Sequence, residues 1–154
     1  WSEVMGTKLD GLFNMTHPLW NGMRERKFGR IINISSIHGI VASVDKSAYV
    51  SAKHGLIGLT KSVALETASD AITCNAICPG YVQTGLAETQ LAEYAASEGI
   101  PMDKAVQPFL SKKQPSGEFV KPPDIGAMVV FLCSNAGDQI TGSSFVMDGG
   151  WTAQ

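Results

Sequence analysis

A serine, a tyrosine and a lysine stand in the order Ser36-x12-Tyr49-x3-Lys53. The apolar pattern of residues 47–69 predicts a helix, and the i to i+4 spacing then puts Tyr49 and Lys53 on one face, a turn apart. An ammonium beside a phenol favours the phenolate and lowers the tyrosine pKa from its ordinary value of about 10. A hydroxyl from Ser36 can hold a substrate oxygen next to that phenol. These parts suit proton transfer to or from a carbonyl or alcohol oxygen, the acid–base half of a hydride transfer. Tyr-x3-Lys alone occurs on many ordinary helices, so the serine and its placement carry the reading.

The elements that must position these groups are legible as periods. Residues 2–26 read as a helix with Met5, Leu9, Leu12, Leu19 and Met23 near a helical repeat, broken or kinked at Pro18. Ile31-Ile32-Asn33-Ile34 reads as a buried strand. The helix at 47–69 carries an apolar stripe of Ala52, Leu56, Leu59 and Val63. Its Gly55 and Gly58 cost about 1 kcal/mol each against alanine, which suggests close approach of another helix or subunit. Residues 72–77 form a second strand stopped by Pro79-Gly80, and 85–98 and 102–112 are helical around Gly99-Ile100-Pro101. A helix from about Pro123-Asp124 carries Ile125, Met128, Val129 and Leu132, and a strand at 145–147 ends in Asp148-Gly149-Gly150. Alternation of strand and helix implies parallel βαβ units in an open α/β sheet, where ligands bind beyond the carboxyl ends of strands. Ser36 and Pro79-Gly80 both follow strands, so both are expected at that edge, with Tyr49 entering from the helix between them.

Composition narrows the alternatives. The 154 residues are the size of one domain, with 44% hydrophobic and 17% charged residues, as in a soluble globular chain. A formal net charge of −2 argues for neither nucleic acid nor an anionic membrane, and no apolar run nears the ~20 residues of a bilayer span. Cys74, Cys78 and Cys133 lack zinc-site spacing and read as buried reduced thiols, consistent with a cytoplasmic setting. His17 and His54 have no clustered ligands in sequence, so no metal is expected.

Asn33-Ile34-Ser35-Ser36, Tyr49-x3-Lys53, Asn75-Ala76-Ile77-Cys78-Pro79-Gly80 with Val82 and Thr84, and the ending Asp148-Gly149-Gly150 together resemble the second half of the short-chain dehydrogenase/reductase family. The resemblance implies a partial Rossmann-like, doubly wound parallel sheet. Residues 1–154 would be the carboxyl-terminal part of one dinucleotide-binding and catalytic domain, without the first strands and the glycine-rich pyrophosphate turn. It also implies roles: Ser36 positions the substrate oxygen and Tyr49 is the general acid/base. Lys53 binds the nicotinamide ribose and tunes the tyrosine. Pro79, Gly80, Val82 and Thr84 hold the nicotinamide side of an NAD cofactor, NADP being the alternative. Ser35 is expected to be a packing neighbour of Ser36. Lys8 departs from the family, standing where an active-site asparagine usually feeds a proton relay; two outcomes are open, a backbone carbonyl that still holds the relay water or a charge that depresses the relay or repels Lys53.

A narrower resemblance is to the D-3-hydroxybutyrate dehydrogenase branch, through Ser36-Ile37-His38-Gly39, Lys46-Ser47-Ala48-Tyr49, Ala52-Lys53-His54-Gly55, Gln114-Pro115-Ser116, Phe131-Leu132-Cys133-Ser134 and the tail Asp148 to Gln154. It implies that His38, Lys46 and Gln90 grip a substrate carboxylate, leaving its 3-oxygen to Ser36 and Tyr49, with acetoacetate as the oxidised product. Lys46 precedes a helix start, where the dipole disfavours a cation, and this too favours an anion-binding purpose. Residues 83–122 are the expected substrate lid, although Leu86, Leu91 and Tyr94 also read as core. A homotetramer is implied, with contacts through the helices at 2–26 and 47–69 and the last strand. Two alternatives stay open: a reductase of acetoacetyl-CoA or another small ketone, and a non-catalytic assembly fragment.

Overall fold

The computed structural model describes residues 1–153; Gln154, the end of the tail motif, lies outside the described residues. Three parallel strands, β1 (Gly29–Ile34), β2 (Ile72–Pro79) and β3 (Ser144–Met147), lie in the order β1-β2-β3. Gly29 to Ile34 pair with Ile72 to Ile77, and Ala76 to Pro79 pair with Ser144 to Met147. Every residue of the central strand β2 is buried, as expected for a strand covered on both faces. Because the strands are parallel, Ser35-Ser36, Pro79-Gly80 and Asp148 all leave the sheet at one edge.

The amino-terminal run is helical as its period predicts, but in pieces: α1 (Ser2–Met5), a π-helical turn (Gly6–Asp10), α2 (Gly11–Thr16), a 3-10 turn (His17–Leu19) and α3 (Trp20–Arg26). The 3-10 turn holds Pro18, whose missing N–H breaks the ladder as anticipated. The π turn is not signalled by the period. It packs on α4 (Ser47–Glu66) at Gly55, where a Cβ would meet Leu9 Cδ2 at 2.9 Å. Gly55 thus answers the expectation of a close helix approach, whereas a Cβ at Gly58 would meet nothing within 4 Å. Helix α4 stops at Glu66, short of residue 69; Thr67 there gives both its N–H (3.0 Å) and its hydroxyl (2.7 Å) to Val63 O.

The α4 stripe closes one face of the sheet. Val63 and Ala64 pack with Ile31, Ile72 and Cys74, and Trp20, Met23 and Leu59 complete the cluster. On the other face α7 (Pro122–Cys133) turns Leu132 fully inward and half-buries Ile125, Met128 and Val129, the stripe read from the sequence. Its outer side is uncovered: Val130, Phe131 and, on β1, Ile34 are exposed. This corrects the reading of Cys133 as a buried thiol; it ends α7 on that open side and is exposed, while Cys74 and Cys78 are buried. No strand among the described residues pairs with the second edge of β1.

Helices α5 (Gly85–Glu98) and α6 (Met102–Ser111) form an excursion between β2 and α7 with its own small core of Leu91, Ala95 and Ala105, joined by Tyr94 and Phe109. A parallel bridge between Val82 and Val120 closes its base.

Between α4 and β1, Asn33 Nδ2 donates to Thr60 Oγ1 at 2.9 Å, and Thr60 Oγ1 donates to Leu56 O at 2.8 Å, all buried. Thr60→Val keeps the shape and removes the acceptor, so it should lower the unfolding free energy by about 1–3 kcal/mol, measured by urea denaturation; unchanged stability would contradict this account of the interface.

Candidate active site

Ser36 begins the site. Its backbone is extended (φ −170°) and its Oγ accepts the His38 N–H at 3.2 Å, so the hydroxyl caps the 3-10 turn Ile37–Gly39. With that lone pair engaged, the O–H proton remains to be donated elsewhere. Ser35 Oγ instead points into the fold and donates to Lys53 O at 3.3 Å, as a packing neighbour should.

Lys53 is buried on α4, and its Nζ donates to Ile34 O, the last carbonyl of β1, at 2.9 Å. The ammonium lies 5.7 Å from the Tyr49 ring centre, one turn up the helix. Burial lowers the Lys53 pKa below its ordinary value, and Lys8 on the π turn lowers it further; Cys78 opposes both. The opposition of Lys8 to Lys53, one of the two outcomes open from the sequence, is therefore present, although Lys8 itself is exposed. Burial also raises the thiols behind the site, Cys74 to about 12 and Cys78 in the same direction, which keeps both protonated.

Ser36, His38, Lys46, Tyr49, Gly80, Val82, Thr84 and Gln90 line one cavity of about 400 Å³. Five elements contribute: the turn after β1, the start of α4, the end of β2, the cap of α5 and α5 itself. Lys53 and Pro79, expected in the same set, are not lining residues; Lys53 lies beneath Tyr49, and Pro79 is the last residue of β2. Thr84 caps α5, accepting the Ala87 N–H at 3.4 Å. The stripe Leu86, Leu91 and Tyr94 divides: Leu91 is in the core of the excursion, whereas Leu86 is exposed on the cavity.

Sequence reasoning assigned no role to the aromatic walls, Tyr81 and Trp151, whose ring centres are 5.2 Å apart. Trp151 also meets the His38 ring edge-on at 5.7 Å, and Tyr49 does so from another direction at 6.0 Å. Two buried polar residues hold these walls. Gln114, fully buried, accepts the Tyr81 N–H at 2.9 Å and donates to Glu118 O. A Cβ on Gly80 would collide with Gln114 Oε1, so the turn after β2 admits that glutamine only as glycine. Asp148 accepts the Gly150 N–H, the Thr152 N–H and the Thr152 hydroxyl. Burial pushes its carboxyl up, but these hydrogen bonds outweigh it and hold Asp148 below the usual carboxylate value. Both residues sat in motifs noticed in the sequence, and a polar group expected inside is the signal that could have singled them out.

The His38 ring is depressed below 6.5, first by burial, then by Lys46, with Lys113 and His54 adding to it and the Val41 backbone opposing. Its Nδ1 is buried without a partner at hydrogen-bond geometry. His38 is therefore neutral at pH 7, with one ring N–H to donate. Of the other histidines, His17 stacks on Phe13 and meets Trp20 edge-on, and His54 contacts Val50 O at 3.0 Å. No cluster among the described residues could hold a metal ion, and no described helix is long and apolar enough to cross a membrane.

A family model described as enoyl-(acyl carrier protein) reductase matches residues 1–152. The chain is 49% identical over all 154 residues to D-beta-hydroxybutyrate dehydrogenase of Cupriavidus necator, covering 60% of that protein. It is 44% identical over 150 residues to acetoacetyl-CoA reductase of Rhizobium meliloti, covering 97% of this chain and 58% of that one. Among solved structures, a putative 2-deoxy-D-gluconate 3-dehydrogenase from Agrobacterium tumefaciens with bound NADP superposes with a TM-score of 0.85 at 35% identity, covering 100% of this chain and 59% of that one. 4-Hydroxyisoleucine dehydrogenase complexed with NADH does so with a TM-score of 0.84 at 36% identity, covering 97% and 58%. The chain thus spans about 60% of the length of the first two curated relatives it matches.

Because His38 titrates lower in the fold than in the unfolded chain, the unfolded chain binds more protons between the two values; its stabilising contribution is full above about 6.5 and is lost as pH falls through the folded value. An NMR titration of the ring should give a midpoint below 6.5 that rises in Lys46→Met; a midpoint at or above 6.5 in the parent chain contradicts the assignment.

Proposed function

The chain belongs to the short-chain dehydrogenase/reductase family, and from that premise we propose that the intact protein interconverts D-3-hydroxybutyrate and acetoacetate with a nicotinamide dinucleotide. The observation that carries the reading is one cavity with Ser36 and Tyr49 among its walls and Lys46, His38 and Gln90 among the others. A small acid has a proton-transfer group for its oxygen and cationic or neutral donors for its carboxylate.

The residues fit the cofactor: Lys53 uses one N–H on Ile34 O, leaving two for ribose hydroxyls, beside the turn of Pro79, Gly80, Val82 and Thr84. A nicotinamide held there would supply the hydride chemistry, as acceptor from the carbinol carbon or donor to the ketone. Tyr49 accepts the hydroxyl proton during oxidation and gives it back during reduction. Ser36, oriented by the His38 N–H, donates to the substrate oxygen and keeps it beside the phenol. Lys46 supplies a charge to the carboxylate, and neutral His38 and Gln90 supply N–H donors. Similar solved structures carry NADPH, NADH and NADP, which supports a nicotinamide dinucleotide; NAD is our first choice and NADP the second.

We take residues 83–122 as the lid over this cavity, because α5 contributes Leu86 and Gln90 to its wall and the excursion closes on itself at Val82 and Val120. The activity is proposed for the intact protein: among the described residues β1 has an unpaired edge and Ile34, Val130 and Phe131 are exposed, features that favour association over independent function. A homotetramer with contacts on the α1–α3 run, α4 and β3 remains our proposal for the assembly.

Tyr49→Phe in the intact protein should reduce turnover by about 10²- to 10⁴-fold while cofactor binding, followed by nicotinamide fluorescence, persists; turnover at the parent rate rejects the assignment. A second reading, reduction of acetoacetyl-CoA, is favoured by the identity to the Rhizobium meliloti enzyme. Side-by-side assays of 3-hydroxybutyrate and acetoacetyl-CoA decide between them. For the free acid, Lys46→Met should raise KM with little change in kcat, and an unchanged KM removes Lys46 from carboxylate binding.

A further inference from the structure

A second ammonium lies behind the Trp151 wall of the cavity, outside its lining. Lys113 follows α6, and its Nζ donates to Ser43 Oγ at 3.4 Å. The same ammonium lies 5.3 Å from the centre of the Trp151 ring, which also meets His38 edge-on. Ser43 and Lys46 share the short loop between the 3-10 turn and α4. The neighbouring lysine behaves differently: Lys112 pairs with Glu98 Oε1 at 3.9 Å and lies over the Tyr94 ring, on the excursion itself. Ion pairs among the described residues are Arg24–Asp70, Arg30–Asp138 and Lys112–Glu98, so among those residues neither Lys46 nor Lys113 has a carboxylate partner.

We infer that Lys113 is a specificity-determining residue for the substrate carboxylate: it ties the Ser43–Lys46 loop to the Trp151 wall and adds a second positive charge to that end of the cavity. The inference rests on reading the cavity as a site for a small hydroxy acid. Its physical basis is that two ammoniums and a neutral imidazole, gathered with no carboxylate partner among the described residues, lack a counter-charge that a bound anion supplies. One hydrogen bond to a hydroxyl and one aromatic face hold Lys113 without neutralising it. The groups that act on His38 are Lys46, Lys113, His54 and the Val41 backbone, and none of them is anionic.

The test compares kcat/KM of the intact protein for D-3-hydroxybutyrate and for its uncharged methyl ester. The ratio of acid to ester should fall about tenfold in Lys113→Met, as expected for losing one charge-assisted interaction, and Lys113→Arg should restore most of it. A role confined to folding lowers both values together and leaves the ratio alone, which overturns the inference while the functional reading stands. A parent enzyme indifferent to the charge overturns both. Should Lys113→Met lose turnover altogether, the His38 titration still decides: a raised midpoint supports the inference and an unmoved one overturns it.

Discussion

The site depends on where the Lys53 side chain ends. Its ammonium leaves α4 and meets the last carbonyl of β1 at Ile34, while its own carbonyl receives the Ser35 hydroxyl. Residues adjacent in sequence thus hold both ends of one lysine, and α4 can neither rotate nor slide against β1 without breaking one contact. Tyr49 is carried one turn along that helix and Ser36 one residue beyond Ser35, so the pair is brought to one cavity by the same attachment. The cost is a buried cation, made less comfortable by Lys8. A lysine used only for stability would be better replaced by an apolar residue; keeping a charge here makes sense beside a group with hydroxyls to bind.

A second attachment works at the ends of β2 and β3. Gln114 reaches from the excursion to the backbone of Tyr81, and Asp148 gathers the backbone of Gly150 and Thr152 around itself. Ser116 N–H also bonds Gly149 O at 2.9 Å, so the base of the excursion and the tail are joined directly. Tyr81 is therefore held through its backbone by the Gln114 side chain, and Trp151 by its N–H on Asp148 O and by the Asp148 carboxylate gripping Gly150 and Thr152 on either side of it. Such networks are costly when half satisfied and specific when complete.

The cavity sets its charges close to its proton-transfer group. The His38 ring meets the Tyr49 ring edge-on at 6.0 Å, Lys46 and Lys113 both act on His38, and Lys53 lies beneath Tyr49 with one acceptor partner. Tyr81, Trp151 and Leu86 add apolar wall. Under the proposed function, this arrangement would hold a small anion by charge within reach of a fixed acid.

Much of this was legible beforehand. The period of α4 places Tyr49 and Lys53 on one face, the β-branched run before Ser36 marks a strand, and Pro79-Gly80 must end another; these are local consequences of backbone geometry and side-chain spacing. The parallel edge that gathers Ser36, the Gly80 turn and Tyr49 follows from the alternation of elements. Tertiary structure alone decided the rest. The π turn at Lys8 follows no period, because packing of Leu9 on Gly55 accompanies it. Cys133 looked like a core thiol by type, yet exposure depends on what covers α7. Gln114, Lys113 and Trp151 meet residues some 30 to 110 positions away, and contacts at such separations leave no spacing to read. A sequence records which groups are available; only the folded chain brings distant ones within hydrogen-bonding reach.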